Sequence, residues 1–76
     1  MTVETVAGGK IITKVGEARV PLRELANKVR VLLKDRTNKG VEIEAPGTTD
    51  YDSIVQVIDE VKAGGAEPIV LGLKSP

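Results

Sequence analysis

The chain has no cysteine and no histidine, one aromatic residue (Tyr51) and no long apolar run. Without cysteine there is no disulfide to staple the fold, and without cysteine or histidine there is no ligand set for a structural zinc. The longest apolar runs, Val31–Leu33 and Ile69–Leu71, are far too short to span a bilayer, and no signal-peptide pattern opens the sequence. Eleven basic residues balance eleven acidic ones. Zero net charge and one aromatic give neither the electrostatic footprint nor the stacking platforms of a nucleic-acid binder.

Ser53 and Ser75 are the only serines and no histidine exists to activate them; no lysine lies on an apolar face that would depress its pKa. No catalytic residue, metal or cofactor is therefore expected. The 76 residues suit one small domain burying only about 60% of its unfolded surface, so dimerisation is a reasonable source of extra stability.

The residues that are present alternate between two periodicities. Thr2–Val6 alternates as an edge strand does, Gly8-Gly9 suits a tight hairpin, and Lys10–Lys14 reads as a second strand, with Ile11 and Thr13 on one side and Ile12 and Lys14 on the other. Gly16-Glu17 turns into a short strand, Ala18–Val20. Pro21 then opens a helix whose apolar residues Leu22, Leu25, Ala26, Val29, Leu32 and Leu33 share one face, ending near Arg36. Val41–Ala45 alternates again, with Glu42 and Glu44 outward. Thr49 is the expected cap of a second helix, with Asp52 completing a capping box. Ile54, Val55, Ile58 and Val61 form that helix's expected buried stripe, Gly64-Gly65 stops it with one left-handed glycine, and Ile69–Leu73 is the last strand after Pro68.

The order ββ(β)αβαβ predicts an α/β (α+β) fold, a small mixed sheet of four to five strands with two helices on one face.

Several patterns resemble sites and have simpler readings. Glu42 and Glu44 point the same way, as acid–base chemistry would need, but alternate with Val41, Ile43 and Ala45 as any solvated sheet face does. Asp50 and Asp52 lack the glycine and distal glutamate of a calcium loop. Gly47-Thr48-Thr49 precedes a helix, yet two aspartates downstream repel a phosphate. Arg23, Arg30 and Lys34 make a basic stripe of a solvated helix face. Two features remain. Ile69-Val70-Leu71 is apolar on both faces and Ile12 points away from the helix-covered side, so either that face grips something or loops cover it. Partner or dimer contact is accordingly expected at Ile12, Ile69, Val70, Leu71, Gly72 and Leu73, with strand addition as one mode.

Val41-Glu42-Ile43-Glu44-Ala45, Tyr51 opening a helix, Ile54-Val55-Gln56-Val57-Ile58-Asp59, Ala63-Gly64-Gly65-Ala66 and Ile69-Val70-Leu71-Gly72-Leu73 together resemble the periplasmic domain of the ExbD/TolR family. The resemblance extends through Pro21-Leu22-Arg23-Glu24-Leu25 to the N-terminal hairpin; it departs at Pro46, where the family commonly has an aspartate. It implies a single-pass protein of the bacterial inner membrane, its periplasmic part forming a homodimer. It further implies an ExbB/TolQ-type channel subunit, a TonB/TolA-type protein and peptidoglycan as partners, in a motor driven by the proton gradient. An upstream apolar segment of about 20 residues, carrying the proton, is then expected. Two other readings stay open: a stand-alone interaction or regulatory module, and a small-ligand-binding domain with its site between the sheet edge and the Pro46–Thr49 loop.

Overall fold

The computed structural model describes residues 1–6 and 12–74, with Val6, Ile12 and Lys74 described by their backbone only. The Gly8-Gly9 hairpin lies outside the described residues. Five strands and two helices follow in the order β1 (Thr2–Val6), β2 (Ile12–Val15), β3 (Ala18–Pro21), α1 (Leu22–Leu33), β4 (Val41–Pro46), α2 (Tyr51–Ala63) and β5 (Ile69–Lys74). They build one mixed sheet with strand order β3-β2-β1-β4-β5. β2 pairs antiparallel with both β1 and β3, whereas β4 pairs parallel with both β1 and β5. The expected α+β layering is present, and both helices cover the same face.

That face is dictated by alternation. Val3, Val15, Val20, Val41, Ile43 and Ala45 turn inward and are buried, joined by Thr5 and Thr13. The residues between them, including Glu4, Lys14, Arg19 and Glu42, lie on the other side, half-buried or exposed. From above, α1 supplies Leu25, Val29 and Leu33, and α2 supplies Ile54, Val57 and Val61. Each fully buried Val, Leu or Ile contributes about 1.5–3 kcal/mol relative to exposure, which is how so short a chain sustains a core.

Six sequence expectations shift in the structure. Thr2–Val6, expected as an edge strand, is the central strand, paired with β2 on one side and β4 on the other. Pro21, expected to open the helix, ends β3 and stands at the N-cap of α1. α1 ends at Leu33, three residues before Arg36: the chain turns there, with the Arg36 N–H donating to the Leu33 carbonyl at 3.1 Å. The Lys39 ammonium donates to that same carbonyl at 2.6 Å, a cation on the negative helix end. The Thr49–Asp52 capping box does not form. A tight turn, with the Thr49 N–H donating to the Pro46 carbonyl at 3.0 Å, uses Thr49 first and moves the N-cap to Asp50, which makes no side-chain cap bond. The stripe of α2 is rotated, so that Val57 is fully buried while Val55 and Ile58 are half-buried on its flank. β4 also runs one residue past Ala45, to Pro46.

The rotation has a cause at the helix end. Gly64 packs so closely on α1 that a Cβ there would lie 2.8 Å from the Ala26 carbonyl and the Val29 side chain. The next residue, Gly65, takes the expected left-handed position with φ +96°. Its N–H donates to the Lys62 carbonyl and the Ala66 N–H to the Val61 carbonyl, the paired bonds of a Schellman stop.

Candidate functional site

The two borders of the sheet differ. β3 is four residues long, displays Arg19 and ends in Pro21, which has no N–H to offer. A short, charged, proline-terminated strand is the way sheet edges are protected against pairing. An open hollow of about 440 Å3 beside it, between β3 and α1, is lined by a mixture that includes Arg19, Pro21, Glu24, Lys28 and Val31.

β5 has none of this protection. It is six residues long and its interior holds no proline and no charge. Pro68, just before it, turns its carbonyl to β4 and accepts the Val41 N–H at 3.0 Å. Alternate residues of a strand serve opposite neighbours, so Val70 and Gly72 also face β4 and the backbone groups of Ile69, Leu71 and Leu73 face outward. Three N–H and C=O pairs in succession thus lie along the sheet's outer border.

The side chains on this border are apolar and poorly covered. The register pairs Val41 with Ile69, Ile43 with Leu71 and Ala45 with Leu73, which places all three β5 residues on the helix-covered side. Only Ile69 is packed against the core. Leu71 remains 41% and Leu73 57% exposed on the border strand, while α2 packs on β4. On the opposite face Val70 is 55% exposed. The sequence singles out Val70 for the open face; the structure adds that the helix side of β5 is uncovered too.

α2 carries an apolar flank that sequence reasoning missed. Gly64 packs on α1, and Tyr51, Val55 and Ile58 lie on a different flank of the helix. Tyr51 is 78% exposed, and Val55 and Ile58 are half-buried. Their i, i+4, i+7 spacing was the available signal, hidden because Val55 and Ile58 also fit the core stripe. Leu71 and Leu73 thus form an exposed apolar strip on a border strand whose outward backbone groups have no strand partner among the described residues.

Of the six residues expected at a contact surface, Ile69–Leu73 lie together on β5. Ile12 lies on β2, its backbone paired with Val6 and Pro21, with β1 and β4 between it and β5; its side chain lies outside the described residues. Glu42 is exposed on the open face, next to Val70 in register. Among the described residues no three carboxylates converge as a metal site requires, and no helix is long and apolar enough to cross a membrane.

No curated protein matches the sequence. Residues 2–75, essentially the whole chain, match the family described as Biopolymer transport protein ExbD/TolR. The resemblance in the β4, α2 and β5 segments is thereby accounted for, and the chain belongs to the ExbD/TolR family of biopolymer transport proteins.

Proposed function

We propose that this chain is the periplasmic protein-interaction domain of an ExbD/TolR-like subunit. That subunit would belong to an inner-membrane motor driven by the proton gradient, with β5 as its docking edge. Family membership supports the transport role. The observation that carries the docking assignment is the coincidence, on one strand, of three outward backbone pairs with the uncovered side chains of Leu71 and Leu73. Strand addition uses both, since the main chain supplies hydrogen bonds and alternate side chains pack on Leu71 and Leu73. The domain then converts nothing chemically: it grips a neighbour and transmits motion from an ExbB/TolQ-type channel subunit.

One edge accepts one strand. The homodimer and the TonB/TolA-type partner that the family implies therefore compete for β5 if both use it. Leu73→Glu places a charge on the helix side of the border strand without touching the buried core, and Val70→Glu does the same on the open face. Circular dichroism is expected to be unchanged in both. Sedimentation is expected to show weaker self-association or weaker capture of a TonB/TolA-type periplasmic fragment. If both variants keep wild-type self-association and wild-type fragment binding, β5 is not the docking edge.

A further inference from the structure

The border strand contains a glycine that the chain's own fold does not require. Gly72 is not among the described glycines with positive φ, and a Cβ placed on it would meet nothing nearer than the Ile43 carbonyl at 3.9 Å. Glycine inside a strand weakens it and often marks a bulge, a bend or a site that another backbone or a ligand approaches closely. Gly72 lies on the open face, in register with Glu44, as Val70 lies in register with Glu42. Beyond Glu44 the same row reaches Glu4. Glu44 engages other groups of the chain, whereas Glu42 is exposed.

Charge around the edge points the same way. Residues 41–67, which form β4, α2 and the approach to β5, hold seven carboxylates and one lysine. A strand added to β5 lies about 10 Å from β4, two strand spacings. A lysine or arginine on its open face spans that gap only by lying across the strand between, and Gly72 leaves the lane clear.

Resting on the reading of β5 as a docking edge, we infer that its occupant is an extended partner segment in which apolar residues alternate with lysine or arginine. The apolar residues lie against Leu71 and Leu73; one cation lies over Gly72 toward Glu42, the exposed carboxylate of β4. A second copy fits less well. It brings its own acidic half to the junction, and Lys74 is the sole basic residue of its β5.

Three capped heptapeptides alternating valine with lysine, serine or glutamate test this, titrated into the 76-residue chain and followed by calorimetry and by backbone amide signals. The lysine peptide is expected to bind about fivefold or more tightly than the serine peptide, and the glutamate peptide most weakly. The gap should narrow as salt rises from about 0.05 to about 0.5 M. Gly72→Val should keep the Tm and lose the lysine preference; Glu42→Gln should reduce it. Equal binding of the three peptides, or an undiminished preference in both variants, overturns the cationic chemistry while leaving β5 as a docking edge. Amide changes that avoid residues 69–74 with every peptide overturn the docking reading itself. A β5-mediated dimer that no peptide enters makes the second copy the occupant and overturns the inference.

Discussion

Thr5 and Thr13 sit opposite each other on β1 and β2, both buried on the helix-covered face, and they do different things. The Thr13 hydroxyl donates to the Val20 carbonyl at 2.7 Å. The Thr5 hydroxyl is buried without a partner among the described residues. A buried polar group left unpaired costs about 1–3 kcal/mol, whereas a satisfied one is close to neutral or favourable. Thr5→Val keeps the shape, suits a strand and is expected to raise stability by about 1 kcal/mol in urea denaturation. Thr13→Val should lower it by a similar amount. Alternation alone predicts which side of the strand residue 13 faces; it says nothing about which of two identical hydroxyls finds an acceptor, because that depends on where β3 returns. Thr49 makes the same point. As an N-cap its loss would cost about 1 kcal/mol, but the turn has displaced it and its hydroxyl, like that of Thr5, is buried without a partner among the described residues, so Thr49→Ala should cost little or nothing in the same assay.

The two helices were legible to different degrees because their neighbours constrain them differently. α1 has one strong apolar face, and Leu25, Val29 and Leu33 are buried where the spacing places them. α2 is apolar around much of its circumference, so spacing permitted several stripes, and contact with α1 selected the one centred on Val57. The Gly64-Gly65 stop was visible as a pair, but the division of labour was not. Gly65 is there for its positive φ, Gly64 for close approach. Gly65→Ala forces a side chain into the left-handed region and is expected to cost about 1–2 kcal/mol. Gly64→Ala must push α1 and α2 apart and should cost about 1–3 kcal/mol. Thermal unfolding distinguishes them further, since only the second variant should also loosen α1, seen as faster hydrogen exchange at Val29. The last strand was legible as an apolar segment. Its use as a free edge was expected, but Thr2–Val6 was also read as an edge and is central, because strand order is set by pairing and crossover geometry that no local pattern encodes.

A net charge of zero conceals a division of the molecule into two halves. Residues 17–36, which hold β3 and α1, carry six basic and three acidic residues; residues 41–67 carry seven acidic and one basic. Sheet order sets these halves apart, β3 at one border and β4–β5 at the other. Reading the total alone hides this, since steering depends on how charge is distributed and not on its sum. A cationic segment approaching the domain is repelled by α1 and drawn toward the β4–β5 border, which orients the encounter before any contact forms. The bipolarity is testable without a partner. At pH 7 and low salt a chain with evenly mixed charge and a pI near 6.2 has no reason to bind a cation exchanger. This one is expected to be retained through α1 and released once added salt brings the screening length to about 10 Å or less. Arg30→Glu together with Lys34→Glu, both at exposed positions, should abolish that retention while leaving β5 and its docking behaviour unchanged. Flow-through of the wild-type chain would mean that its opposite charges are too closely interleaved to act as two poles, and electrostatic orientation toward β5 would then fail with it.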